Sequence, residues 1–283
     1  MERSLAAAVS GINAEQTYLD AIGNNIANSS TDGYKQEEVL FSDLLTQQVN
    51  GATAPVPPAG GAPGVGGINP IDVGSGVQVA GVMENLSEGP LDQTGIASNA
   101  AIQGQGYFVV SQNGQQLFTR AGDFSLDANG DLVTPSGGLV QGYAAGGGTT
   151  LGPIQIQIGS KDSAGTGTLT SYSIGSDGTI TGTYSDGTTA SLGQIALATF
   201  ANPNGLNDLG NNYYSVSPNS GKAVIGAPGA NGSGTLLGGA VEGSNVNLAQ
   251  ELTDLVNAQT NYEANTKTVS TTATVLQSLI SMP

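Results

Sequence analysis

The chain has 283 residues, 44 of them glycine, no tryptophan, and a formal net charge of −16 from 22 acidic and 6 basic side chains. So acidic a surface repels nucleic acid and anionic membranes, and neither is expected as a partner. Cysteine and histidine are both absent, which removes disulfides, thiol nucleophiles, Cys/His zinc sites and histidine acid–base catalysis.

The first predicted element is a helix from about Arg3 to Ala27. Leu5, Ile12, Leu19 and Ile26 recur every seventh residue, and Val9 and Ile22 widen the stripe. The run Asn28-Ser29-Ser30-Thr31-Asp32-Gly33 stops it with turn-forming side chains. Residues 34–72 read as an extended connector. Within it, Tyr34 to Val49 forms a strand or a short second helix anchored by Phe41, Leu44 and Leu45, and Gly51 to Gly67 is rich in Pro, Gly and Ala.

From about Val73 the apolar period changes to two. Val77–Val79, Tyr107–Val110, Leu117–Thr119, Ile154–Ile158, Tyr172–Ile174, Thr179–Tyr184, Ile195–Phe200 and Tyr213–Val216 read as strands. Asn113-Gly114, Asn129-Gly130, Asp177-Gly178 and Asp186-Gly187 are hairpin signals between them. The β domain spans 73–143 and 168–242. A glycine-rich, polar tip occupies 144–167.

The last predicted helix starts with Asn247 and Gln250 spaced like a capping box and runs to about Ser281. Leu248, Leu255, Tyr262, Val269 and Leu276 form one seven-residue track. Leu252, Gln259, Thr266, Ala273 and Ile280 form a second. Together they give the 4-3 alternation of a coiled-coil seam. The fold class is therefore α+β: ends 1–33 and 243–283 pair as a coiled-coil-like domain beside a central, mainly antiparallel β domain. Weak helix formers interrupt both ends, at Gly11, Gly23, Asn257, Asn261, Asn265 and the Thr/Ser run from Thr266 to Thr274. Ends of this kind are expected to be disordered in the monomer and to fold on assembly.

No catalytic, cofactor-binding or metal-ligating residue stands out. Asp127-Ala-Asn129-Gly-Asp131 opens like a calcium loop, but its sixth position is Leu132 and its twelfth Gly138, so a plain turn is expected. Gly104-Gln-Gly106 lacks the third glycine of a phosphate loop and is expected to let two backbones approach. A hydrolase working through carboxylates alone has no pair to point to. A secreted adhesive or glycan-binding β protein has no use for two heptad-bearing ends, and no cleavable secretion signal is read in the sequence. No apolar run reaches the length of a membrane span.

Four segments carry a family resemblance. They are Asn24-Asn25-Ile26-Ala27-Asn28 with Gly33-Tyr34-Lys35, Ala101 to Phe108, Thr119-Arg120-Ala-Gly122-Asp-Phe124 with Leu126 to Gly130, and Ser244-Asn245-Val246-Asn247 with Glu251 to Tyr262. In this order they resemble the bacterial flagellar rod and hook axial proteins. The resemblance implies a non-enzymatic subunit, exported without a cleaved signal, that polymerises into a hollow helical tube with its terminal helices as inner wall. The residues expected in the assembly seam are those of the heptad stripes: Leu5, Ile12, Leu19, Ile22, Ile26, Leu248, Leu252, Leu255, Tyr262, Val269, Leu276 and Ile280. The partners implied are further copies of the chain, the distal rod protein, the hook cap, the hook–filament junction protein and the flagellar type III export apparatus. Gly66 to Val77 looks more hook-like, which implies a short hook subunit. The tip at 144–167, too small for an outer domain, implies the alternative of a distal rod subunit.

Overall fold

The computed structural model describes residues 2–55, 66–145, 150–161 and 167–281. The middle of the Pro/Gly connector, 56–65, and parts of the expected tip, 146–149 and 162–166, lie outside the described residues. The chain forms two compact units, one from its two ends with residues 37–83, the other from residues 28–36 and 84–246.

The first unit holds two long helices, α1 (Glu2–Ala27) and α2 (Leu248–Ile280). Asn247 caps α2: its side-chain oxygen accepts from the backbone N–H of Ala249 at 3.1 Å and of Gln250 at 3.3 Å. The reciprocal half of a capping box does not form, because the Gln250 amide turns forward to Asp254. The helices run antiparallel. Asn25 donates to Glu251, Asn261 donates to Glu15, and Gly11 lies against the Asn265 side chain.

The buried face of α2 differs from the expected one by one residue. Glu251, Ala258 and Thr272 are buried and Asn265 half-buried, alternating with half-buried Leu255, Tyr262 and Val269. That is a 4-3 repeat, but its second track runs through 251, 258, 265 and 272. Leu252, Gln259, Ala273 and Ile280 face solvent, Ile280 at 84% exposure. The reason is size. Ala8, Gly11, Ala14 and Ala21 are the buried small residues of α1, and a β-carbon on Gly11 would come within 2.7 Å of Asn265. Small side chains let the helices approach closely where Gly11 meets Asn265, and at 251 the buried Glu is kept by the bond from Asn25.

Residues 34–50 resolve as strands, not a helix. Glu37–Asp43 pairs with Val77–Glu84, and Gln47–Asn50 pairs antiparallel with Ile71–Val73. Asn25 fixes the first strand to α1: its amide donates to Glu37 O and its oxygen accepts Glu37 N–H, both at 2.9 Å. Phe41 meets Tyr18 edge-on at 5.7 Å between ring centres. Leu45 is 90% exposed.

The second unit is a mainly antiparallel sheet. Its strands run in the order Leu169–Ile174, Thr179–Tyr184, Thr189–Ile195, Leu139–Ala144, Tyr107–Gln112, Gln115–Thr119, Tyr213–Ser215 and Asn207–Asp208. The apolar run Tyr107-Phe-Val-Val110 is buried on both faces. Phe108 and Val110 join a large core with Leu132, Ile156, Ile180 and Leu236, while Tyr107 and Val109 join a second with Phe118 and Tyr214. Ile154 and Ile156 are buried as the alternation predicts, but Ile158, expected on the same face, is exposed. The ladder of this segment is broken, and single bonds such as Leu132 N–H to Ile154 O hold it instead. The Asp127–Asp131 loop is the turn expected, with one Asp127 oxygen accepting the N–H groups of Asn129 and Asp131 at 2.8 Å.

Candidate assembly site

The sheet unit closes around one carboxylate. Ala240–Glu242 is a three-residue strand paired with Leu91–Gln93, and the Glu242 side chain at its end is fully buried. Its Oε1 receives Lys35 Nζ at 2.7 Å and the Gly89 N–H at 3.0 Å, and its Oε2 receives Arg120 Nε at 2.5 Å. Arg120 also donates to the carbonyls of Gly106 and Gly104 at 2.7 Å and Ile102 at 3.2 Å. Lys35 Nζ also donates to Ser87 O at 2.7 Å. Every nitrogen of the two cations therefore has an acceptor, the condition under which a buried charge cluster holds a fold together.

Electrostatics follow the same geometry. Burial alone would push the Glu242 carboxyl up, but Arg120 and Lys35 outweigh it and hold it below its ordinary value. Burial lowers Lys35; the hydrogen bond and charge of Glu242 oppose that lowering. Tyr107, buried in the second core with Glu84 nearby, is pushed up to about 12 and stays a neutral phenol.

All four of the sequence segments meet here. Gly33 donates its N–H to Glu242 O at 2.7 Å and holds φ at +71°, with room for no β-carbon: one would lie 2.6 Å from Ala121 N. Asn245 accepts Gln36 N–H at 2.8 Å and donates to Asn85 O and Ser87 O. Ser244 accepts the Val246 N–H at 3.3 Å. Asn28 closes the turn after α1 by accepting from Thr31. Ala27 ends α1, Tyr34 is half-buried, and Asn24 donates to Glu37 at 3.2 Å within the helical unit.

Of the stripe residues, Ile22 is buried; Leu5, Ile12, Leu19, Ile26, Leu255, Tyr262 and Val269 are half-buried. Leu248, Leu252, Leu276 and Ile280 are exposed, with Val256, Val275 and Leu279 beside them. Glu242 escaped the sequence reading. No local signal marks it: Lys35 is flanked by Tyr34, Gln36 and Glu37, as a solvent-exposed lysine would be.

These features define a class: a β body whose incoming and outgoing chain are tied to one buried carboxylate, and whose two ends form a helical pair with an apolar stripe left in solvent. Comparison with known proteins gives the family. Residues 5–35 match the model for flagella basal body rod proteins, 101–182 the D1 domain of flagellar hook protein FlgE/F/G, and 237–282 the C-terminal region of basal body rod FlgEFG proteins. The chain is 38% identical to flagellar basal-body rod protein FlgG of Bacillus subtilis, covering all of this chain and 99% of that one. It is 37% identical to the FlgG of Agrobacterium fabrum over 99% and 98% of the two chains. Against the flagellar hook protein FlgE of Treponema pallidum identity falls to 26%, in an alignment 467 positions long that covers both chains fully. The chain belongs to the flagellar rod and hook axial family and is a structural component of the bacterial flagellum.

Proposed function

We propose that this chain is a distal rod subunit that polymerises with copies of itself into the tubular axle below the hook. The observation that carries this reading is length. Rod relatives match end to end at 38% and 37% identity, whereas the hook relative needs an alignment of 467 positions against a chain of 283. The hook-like run Gly66 to Val77 favours the other reading, but it is a short segment set against full-length agreement. Self-assembly is supported by the exposed apolar side chains of α2, which a free subunit would leave in water. In the tube the terminal helices form the inner wall and the β unit the outer layer.

Electron microscopy of the purified, polymerised chain is the test. Short straight tubes are expected. Long curved or supercoiled fibres would return the assignment to the hook, and the absence of any polymer across salt and concentration would remove both.

A further inference from the structure

The helical unit contains a polar site that is left unfinished. Ala7, Gly11, Ala14 and Gly76 floor a cavity of about 410 Å³ that Glu15 and Asn265 also line. Glu15 Oε1 accepts from Asn261 Nδ2 at 3.3 Å. Its Oε2 is buried and has no hydrogen-bond partner among the described residues. Burial pushes this carboxyl above its ordinary value, and the Asn261 bond only partly offsets that. A desolvated carboxylate oxygen without a donor costs free energy that a cation would recover.

The basic residues narrow the choice of cation. Lys35 and Arg120 are committed to Glu242, and Arg3 donates to Gln47. Lys161 and Lys222 belong to the β unit and not to the helices whose exposed apolar side chains call for a neighbour. Lys267 remains, exposed on α2 and without an ion pair among the described residues. It lies six residues beyond Asn261, about 9 Å further along the helix axis, so its own chain does not bring it to Glu15.

We propose that in the assembled form the Glu15 carboxylate is met by Lys267 of a second copy of this chain, which enters through the cavity beside Gly11. The proposal rests on the assembly reading and names one contact within it. The neighbour's helix has its own reason to be there, since its exposed Val256, about 20° around the helix from Lys267, needs cover. Each copy donates one lysine and accepts one, a heterologous contact of the kind that propagates a helical polymer.

The test uses the full-length chain. Isotopically light and heavy protein is co-polymerised and treated with a water-soluble carbodiimide, which joins an amine to a carboxylate it touches. A mixed-label Glu15–Lys267 peptide is expected in the polymer and not in the monomer. Glu15→Lys and Lys267→Glu should each raise the critical concentration about tenfold, and the double swap should bring it back to within about threefold of wild type. Glu15→Gln, which preserves shape, should give a smaller rise with an unchanged monomer circular-dichroism spectrum. Crosslinks from Glu15 to Lys161 or Lys222, or single variants that assemble at the wild-type concentration, overturn the contact and leave the assembly reading standing. A wild-type chain that forms no polymer overturns that reading, and the contact with it.

Discussion

Glu242 sits where stability and family signature coincide. It gathers two of the six basic residues, and removing its charge leaves Lys35 and Arg120 buried without an anion. Glu242→Gln should therefore destabilise the β unit by about 3–5 kcal/mol, read from urea unfolding at neutral pH. Wild type and variant separate with a definite sign as pH changes. The folded carboxyl lies below its ordinary value of 4.5, so its contribution is complete above that value. It is lost as pH falls through the lowered folded value. The gap between Glu242→Gln and wild type should close on acidification; a gap that widens would mean that the carboxylate is not held ionised. Gly33→Ala tests the same junction without charge. A β-carbon at φ +71° would stand 2.6 Å from Ala121 N, and a loss of about 1–3 kcal/mol is expected in the same assay.

At the scale of elements, the sequence was legible where one force dominates. The heptad spacing predicted both helices, and α2 occupies 248–280 with Asn247 as its cap. The Tyr107–Val110 run predicted a strand, and Tyr107–Gln112 is one, in the middle of the sheet order. What the sequence hid was the face. A track of leucines invites burial, yet Leu252 is exposed and Ala258 fully buried, because helix approach is decided by the smallest residues, here Gly11 and its alanine neighbours. Strands as short as Ala240–Glu242 and Ala100–Gln103 were hidden for a different reason. Three or four residues carry too little periodicity, and their burial comes from partners far away in the chain. The contrast gives a paired prediction. Ala258→Leu should destabilise the helical unit by about 1–3 kcal/mol through overpacking. Leu252→Ala should leave unfolding of the monomer within about 0.5 kcal/mol of wild type. If Leu252 is covered by a neighbour, the same alanine variant should polymerise poorly; equal assembly of both proteins would place the contact elsewhere on α2.

The whole molecule must reconcile a charge of −16 with self-assembly. Bringing like-charged copies together costs work that salt reduces, since the screening length falls from about 10 Å at 0.1 M to about 3 Å at 1 M. Apolar burial of the Leu276–Ile280 stripe is not weakened by salt in this way, and a partly buried Glu15–Lys267 pair is screened less than charges in open solvent. Net repulsion should therefore be the term that salt changes most. The critical concentration should fall severalfold between roughly 0.05 M and 0.5 M sodium chloride, followed by light scattering. A critical concentration that rises with salt would mean that surface ion pairs, and not apolar burial, hold the copies together. Protease sensitivity should follow the same equilibrium. Asn257, Asn261, Asn265 and a Thr/Ser run are weak helix formers within α2, and its outer apolar stripe is exposed. Limited digestion should trim both ends of the monomer, spare a core built around Glu242, and leave the ends intact in the salt-assembled polymer. If the monomer's ends resist the protease as well, the helices are stable alone, and ordering of the termini is not what makes assembly cooperative.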